Sequence, residues 1–126
     1  MRVIIAGSRT LNNIKYVEDA FIKAFNQWMR EDQSNWKDFL HPEIVSGGAQ
    51  GVDFLAELYA KKHSWPFKEF PAKWNEHGKS AGILRNKEMG NYADALVAVW
   101  DGQSKGTKHM IDYMRSLNKP VYVYQR

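Results

Sequence analysis

Short apolar runs alternate with amphipathic stretches along the whole chain. Runs rich in β-branched residues and bounded by glycine or polar residues predict buried strands, here over 2–6, 43–45, 67–70, 93–100 and 121–124. Between them, apolar residues recur at three- and four-residue steps. That spacing predicts helices over about 16–28, 52–62, 79–89 and 107–117.

This alternation predicts an α/β fold of the doubly wound class, with a parallel sheet of about five strands and helices on both faces. In the usual strand order, 3-2-1-4-5, the chain changes direction between strands 1 and 4. Ligands bind at that switch point, in a crevice outside the carboxyl ends of the strands. We expect residues 1–126 to form one domain, since this length is long enough for a single core.

Three predicted strands end in loops of small and hydroxyl-bearing residues. They are Gly7-Ser8-Arg9, the glycine turn from Ser46 to Asp53, and the segment from Asp101 to Thr107. The first and third lie at the predicted switch point and the second lies beside it. All three loops are therefore expected at one crevice.

The predicted crevice is rich in hydrogen-bond donors. Backbone N–H groups and hydroxyls suit a phosphate, arginines add bidentate contacts, and two aspartates suit ribose hydroxyls or a base edge. An aromatic ring is available for stacking a nucleobase. The predicted ligand-binding residues are Gly7, Ser8, Arg9, Ser46, Gly47, Gly48, Gly51, Asp53, Trp74, Arg85, Asn86, Asp101, Gly102, Ser104, Gly106 and Thr107.

Structural roles remain open for several of these residues. Ser46 and Thr107 also suit helix caps, and Asp53 in a first helical turn also suits the helix dipole. Trp74 and Trp100, the two candidate stacking rings, also suit the core. Two more candidate cations, Lys79 and Lys105, lie in the same segments.

Composition narrows the classes of protein. Lys and Arg number 18 against 14 Asp and Glu, a mild excess of four that is scattered along the chain and weakly favours anionic ligands. Cysteine is absent, which excludes disulfides and thiolate chemistry. The chain begins in a strand pattern without a leader and has no apolar run of membrane-spanning length. We therefore expect a soluble cytoplasmic protein with no membrane partner.

Several familiar chemistries lack their motifs. The sequence has neither the Gly-x-x-x-x-Gly-Lys-Ser/Thr loop of nucleoside triphosphatases nor the Gly-x-Gly-x-x-Gly turn of dinucleotide enzymes. No serine occupies a Gly-x-Ser-x-Gly elbow. The four histidines are far apart and unpaired, which argues against a metal site. No catalytic residue, metal or cofactor is predicted.

Five segments, in order and spread over nearly the whole chain, together resemble the small YspA/YpsA-like branch of the SLOG superfamily. They are Gly7-Ser8-Arg9, Ser46-Gly47-Gly48-Ala49-x-Gly51-x-Asp53, Phe70-Pro71-Ala72-x-Trp74, Ala81-Gly82-x-x-Arg85-Asn86-x-x-Met89 and Trp100-Asp101-Gly102-x-Ser104-x-Gly106-Thr107. The resemblance implies a Rossmann-like fold. It also implies a sensor or sequestering module for a nucleotide-derived ligand, ADP-ribose-like or cyclic, in bacterial or phage conflict.

Two other SLOG groups imply alternatives. The LOG phosphoribohydrolases resemble this chain but carry Pro-Gly-Gly-x-Gly-Thr-x-x-Glu, whereas Met110 stands here at the place of the glutamate. Binding without turnover is therefore expected, with N-glycosidase activity as the alternative. The DNA-processing protein DprA has a similar glycine loop and implies single-stranded DNA binding. Because the basic residues are scattered, nucleic acid is not expected as a partner.

Aromatic residues suggest an assembly. Trp28, Trp36 and Phe39 cluster where the first helix ends and a polar segment, 31–42, begins. Exposed aromatic patches often mark contacts between proteins, and the resemblance to SLOG proteins also implies a homo-oligomer. We expect a homo-oligomer with this region, or the helix containing Ala81 and Gly82, at the interface; alternatively, the aromatics fold back over the first helix.

Overall fold

The computed structural model describes residues 1–31, 41–48 and 51–126. Within them, strands and helices alternate as the hydrophobic pattern predicts. The elements are β1 (Arg2–Gly7), α1 (Ile14–Glu31), β2 (Glu43–Ser46), α2 (Val52–Lys62), β3 (Phe67–Glu69), α3 (Trp74–His77), α4 (Ala81–Tyr92), β4 (Ala95–Trp100), α5 (Lys105–Ser116) and β5 (Val121–Gln125), with a 3-10 turn at Gly78–Ser80 between α3 and α4.

The strands form one parallel sheet in the order β3-β2-β1-β4-β5, which confirms the predicted order. β1 and β4 are central, and their register places Ile4 beside Leu96 and Gly7 beside Val99. The carboxyl ends of β1 and β4 therefore lie side by side. That is the switch point at which a doubly wound sheet opens a crevice.

The helices divide between the two faces of the sheet. Ile5 faces a core that contains Phe21 of α1 and Tyr59 of α2, whereas its neighbour Ile4 faces a core that contains Met110 of α5. This division follows from the pleat, which sends successive side chains to opposite faces. Ile4 and Ile5 are fully buried, and burying such a side chain stabilises the fold by roughly 1.5–3 kcal/mol.

Most boundaries differ from the prediction by one to three residues, and three differences have a clear cause. The segment after β3 contains the four-residue helix α3, which is too short to show a periodic pattern. β4 begins at Ala95 because the N–H of Ala93 still donates to Met89 at the end of α4. α5 begins two residues early, at Lys105, because the carbonyl of Ser104 accepts the first helical hydrogen bond, from Lys108.

The aromatic stripe of α1 is core. Phe21 and Phe25 stack with ring centroids 4.2 Å apart, and Trp28 is 4% exposed. Trp36 and Phe39 lie outside the described residues, so the predicted homo-oligomer and its interface remain predictions. Within the described part, none of the helices is long and apolar enough to cross a membrane.

Candidate functional site

A cavity of about 540 Å³ lies at the carboxyl ends of β1 and β4, between the facing sides of α4 and α5. Small-molecule sites commonly have volumes of roughly 300–1,000 Å³. Eleven of the sixteen predicted ligand-binding residues line this cavity: Gly7, Ser8, Arg9, Asp53, Trp74, Arg85, Asn86, Asp101, Ser104, Gly106 and Thr107.

The other five predicted residues, Ser46, Gly47, Gly48, Gly51 and Gly102, are outside its lining. The turn after β2 shows why. The Ser46 hydroxyl is buried, donates to the carbonyl of Asp53 at 3.0 Å and accepts the N–H of Gly48 at 3.2 Å. The hydroxyl therefore closes the turn and caps no helix.

Gly51 determines how closely the turn after β2 approaches the loop after β1. Its φ of 72° and ψ of −128° suit only glycine, and a Cβ atom would lie 2.5 Å from the carbonyl oxygen of Arg9. The turn after β2 can therefore approach the loop after β1 closely. Asp53, on the first turn of α2, and Arg9 both line the cavity.

The N-terminus of α5 opens at the cavity. Lys105, Gly106 and Thr107 line the cavity, and their N–H groups precede the first intrahelical bond, so they have no partner within the helix. No side chain caps this terminus, because the Ser104 hydroxyl pairs with that of Thr107 at 3.1 Å. Such a terminus attracts anions.

Asp101 organises the loop that leads to this terminus. Its Oδ1 accepts the N–H groups of Gln103 and Ser104, both at 2.8 Å, and its own N–H donates to the Ser8 hydroxyl at 3.0 Å. The two backbone donors, of which Ser104 has the larger effect, lower the pKa of the carboxyl group. Asp101 thus links the loops after β1 and β4.

Asp101→Ala is expected to lower the melting temperature by about 5 °C, since the N–H groups of Gln103 and Ser104 would both lose their acceptor. Asp101→Asn retains this acceptor and is expected to melt near the wild-type temperature. Calorimetry at neutral pH measures both. Equal stability of the alanine variant and the wild type would contradict this role.

Arg85 and Asn86 connect the walls of the cavity. The Arg85 Nη1 donates to the carbonyl of Gly47 at 2.7 Å, and its Nε donates to Asn86 Oδ1 at 3.1 Å. Asn86 Nδ2 lies 3.2 Å from the Gly106 carbonyl and 3.2 Å from His109 Nδ1. Two consecutive residues of α4 therefore hold the turn after β2 and the first turn of α5.

Positive charge gathers in this cavity although it is scattered along the sequence. Arg9, Lys79, Arg85 and Lys105 all contribute to the lining. Burial lowers the pKa of Arg85, the Asp53 carboxylate raises it, and the charge of Arg9 lowers it. The cavity can thus place several cations around one anionic group.

The two candidate stacking rings separate. Trp74 is 53% exposed and lines the cavity. Trp100 is outside the lining and packs against the core beneath α5, where its Nε1 donates to the carbonyl of Ser104 at 3.0 Å. Of these two rings, Trp74 is the one that lines the cavity and could stack on a bound ring.

Sequence reasoning missed several lining residues: Ala6, Thr10, Gly82, Ile83, Met89, His109 and Met110. Helical spacing is the signal that could have found most of them. Ile83 and Met89 lie three residues before and after Asn86, and His109 lies three residues after Gly106. Each therefore shares a helix face with a predicted site residue.

His109 gives the fold an acid sensitivity. Burial and the charge of Lys87 lower its pKa, and Asp112 opposes them. The unfolded chain therefore binds this proton more readily, so the stability that neutral His109 contributes is present above about pH 6.5 and is lost as pH falls below it through the lower pKa of the folded protein. Between pH 7.5 and 5.5, His109→Gln is expected to lose a few degrees less melting temperature than the wild type.

Calorimetry of both proteins at the two pH values tests this expectation. His41→Gln, at an exposed position, is the matched control and should keep the wild-type pH response. An identical loss of melting temperature in His109→Gln and the wild type would contradict it.

This sheet order, with a donor-rich crevice at the switch point, defines a Rossmann-like α/β protein. The family model of the YspA, cpYpsA-related SLOG family matches residues 1–77, and the chain belongs to that family. It is 32% identical to the Gene 61 protein of Mycobacterium phage D29, over 95% of this chain and 93% of that protein.

The fold is also that of DNA processing protein A from Helicobacter pylori. The two structures superpose with a TM-score of 0.61 over 98% of this chain, at 19% sequence identity, and this chain spans 64% of the other. That protein is described for its single-stranded DNA binding mode. The expectation against nucleic acid is therefore wrong: a protein of this fold binds it, and basic residues scattered along the sequence converge at the cavity here.

Proposed function

We propose that the cavity binds a nucleotide or nucleotide-derived ligand, ADP-ribose-like or cyclic, and that the protein acts as a sensor or sequestering module for it. The observation that carries this proposal is the N-terminus of α5, which opens without a side-chain cap into a cavity that four cations line. A phosphate there gains backbone donors, the helix dipole and charge together.

Binding without turnover agrees with the lining residues. Met110 lines the cavity and is 1% exposed, at the place where the phosphoribohydrolases carry a glutamate. A thioether cannot replace a carboxylate in holding a ribose or moving a proton. The Asp101 carboxylate is also engaged elsewhere, because its Oδ1 already accepts two backbone N–H groups of its own loop.

A thermal-shift screen over AMP, GMP, ADP-ribose, cyclic AMP and cyclic GMP tests the proposal. A ligand at a hundred times its Kd stabilises the fold by about 2.7 kcal/mol, so at least one compound is expected to raise the melting temperature by several degrees. Flat curves across the panel would overturn the proposal. Chromatographic detection of free adenine after incubation with AMP would instead favour the N-glycosidase alternative.

A matched pair of variants locates the binding. Lys105→Gln removes a cation that lines the cavity, whereas Lys108→Gln removes one outside the lining, three residues further along the same helix. Only Lys105→Gln is expected to reduce the thermal shift. Equal responses of the two variants would place the ligand elsewhere.

The second candidate function is single-stranded DNA binding, which the position of Trp74 favours. Its half-exposed ring lines the cavity with Lys79 and Lys105, and single-strand sites combine cations with aromatic stacking platforms. The Helicobacter pylori protein of the same fold binds single-stranded DNA. In this case the cavity would accept one nucleotide unit of a longer strand.

Fluorescence anisotropy with labelled oligo(dT) at about 50 and 200 mM salt separates the two functions. DNA binding predicts affinity that falls with salt and that Trp74→Ala lowers about tenfold or more. The absence of binding at low salt would exclude this function and leave the small-ligand proposal intact.

A further inference from the structure

A chain of side-chain hydrogen bonds ends at His109 in the cavity wall. It runs from Arg85 Nε to Asn86 Oδ1 at 3.1 Å, and from Asn86 Nδ2 to His109 Nδ1 at 3.2 Å. Asn86 is 6% exposed. The Asn86 amide, in the middle of this series of hydrogen bonds, is therefore buried. The question that remains is which atom donates and which atom accepts in each bond.

Donor chemistry fixes the orientation of the Asn86 amide. Arg Nε is only a donor, so the atom that faces it must be the amide oxygen. Nδ2 then lies on the other side, where the Gly106 carbonyl, which is only an acceptor, is 3.2 Å away. Both contacts agree on one orientation of the amide.

The same reasoning fixes the His109 tautomer. Because Nδ2 is only a donor, His109 Nδ1 must accept from it, and the single proton of the neutral ring is on Nε2. The charged groups around the ring are Lys87 of α4 and Asp112 of α5, with Arg85 behind Asn86; burial and Lys87 together lower the His109 pKa. At neutral pH the ring is therefore an uncharged donor.

The surroundings of His109 suit an uncharged acceptor. Met110 follows it in α5, and Met89 lines the facing side of α4. An anion would gain more from Arg9, Lys79 or Lys105 elsewhere in the cavity than from a neutral imidazole. A nucleobase there would gain apolar contact, and its ring nitrogen or carbonyl oxygen would accept a hydrogen bond from Nε2–H.

We propose that His109 is a specificity-determining residue of the cavity and donates its Nε2–H to a nitrogen or oxygen acceptor on the base of the bound nucleotide. This inference rests on the proposed function. It divides the cavity into an anion end at the N-terminus of α5 and a base end between His109 and the methionines. A ligand that lacks a base does not use the second end.

Two variants of His109 separate its two nitrogen atoms. In His109→Gln the side-chain amide reaches the position of Nε2 and keeps a donor there. In His109→Asn the shorter side chain reaches the position of Nδ1, where it keeps an acceptor for Asn86 but has no donor at the far end. His109→Gln thus keeps the donor, whereas His109→Asn keeps the hydrogen bond to Asn86. Comparing the two variants separates the effect of the donor from the effect of the internal hydrogen bond.

Isothermal titration with AMP and with ribose 5-phosphate provides the measurement. His109→Asn is expected to weaken AMP binding about tenfold, the effect of one lost hydrogen bond, while His109→Gln stays within about threefold of wild type. Ribose 5-phosphate, which has no base, is expected to bind all three proteins equally. Nitrogen-15 NMR of the ligand-free protein is expected to find the His109 proton on Nε2.

Wild-type affinity for AMP in His109→Asn would overturn this inference and leave the proposed function intact. Equal weakening of AMP and ribose 5-phosphate would also overturn it, because His109 would then act on the anion end or on the fold. A proton on Nδ1 would overturn the tautomer on which it rests. A wild-type protein that binds none of the screened nucleotides would overturn the proposed function as well.

Discussion

Gly7→Ala is expected to destabilise the protein by about 3 kcal/mol or more, one of the larger stability effects expected for a single substitution. Gly7 pairs with Val99 at the end of the two central strands. A Cβ atom on Gly7 would meet the Val99 carbonyl oxygen and come within 2.8 Å of Val52 Cγ2. The added methyl group would therefore be crowded by β4 on one side and by the buried first turn of α2 on the other, so β1 cannot relieve one contact without tightening the other.

The loss would extend to the cavity. Ser8 and Arg9 follow Gly7 directly, and the N–H of Ser8 donates to the same Val99 carbonyl at 3.1 Å. Because β1 must move away from β4 to admit the methyl group, both residues leave their positions in the lining. Gly7→Ala is therefore expected to bind no nucleotide even at temperatures where it remains folded.

Urea unfolding of Gly7→Ala and Gly106→Ala provides the measurement. Gly106 also lines the cavity, but a Cβ atom there would meet nothing within 4 Å. Alanine is also the better helix former, so Gly106→Ala is expected to keep or slightly raise the stability. If Gly7→Ala unfolds at the wild-type urea concentration, the close approach of β1 to β4 and α2 is not tight enough to require glycine.

The sheet could be predicted from the sequence because the residues that mark each strand are neighbours along the chain. Each strand is a short apolar run, and the connection rules for parallel sheets leave few arrangements for five strands and their helices. Even the bounds of α2, Val52–Lys62, agree with the hydrophobic spacing. The switch point, and with it the place of the cavity, followed from the strand order alone.

The role of each loop residue was harder to predict, because it depends on contacts between distant parts of the chain. Arg85 has the chemistry of a phosphate ligand, but in the fold its Nη1 meets the carbonyl of Gly47, 38 residues earlier. Gly51 similarly owes its role to Arg9. Sequence spacing identifies residues that can bind an anion; only the fold shows which of them the protein already uses itself.

Charge shows the same limit. Arg9, Lys79, Arg85 and Lys105 form no tract along the sequence, yet all of them line one cavity. The absence of a basic run was therefore a poor argument against nucleic acid. His109 was missed for a related reason: its partner Asn86 is 23 positions away, and its helical spacing from Gly106 is the one nearby signal that it faces the site.

Asn86→Leu is expected to destabilise the protein by about 3 kcal/mol, since a buried polar group that loses its partner costs roughly 1–3 kcal/mol. The leucine has the same number and branching of side-chain heavy atoms but leaves Arg85 Nε without its acceptor and His109 Nδ1 without its donor. Nucleotide affinity is expected to fall as well, because α4 no longer holds the first turn of α5 through the Gly106 carbonyl.

Asn91→Leu is the matched control for this variant. Asn91 lies on the same helix but is exposed, and its side chain accepts one hydrogen bond, from the Tyr113 hydroxyl at 2.8 Å. Its loss is expected to cost less than about 1 kcal/mol, with nucleotide affinity unchanged. Urea unfolding and AMP titration measure both quantities. Similar stability losses in the two variants would mean that Asn86 only fills space, since the difference in hydrogen bonding between the two positions would then have no effect.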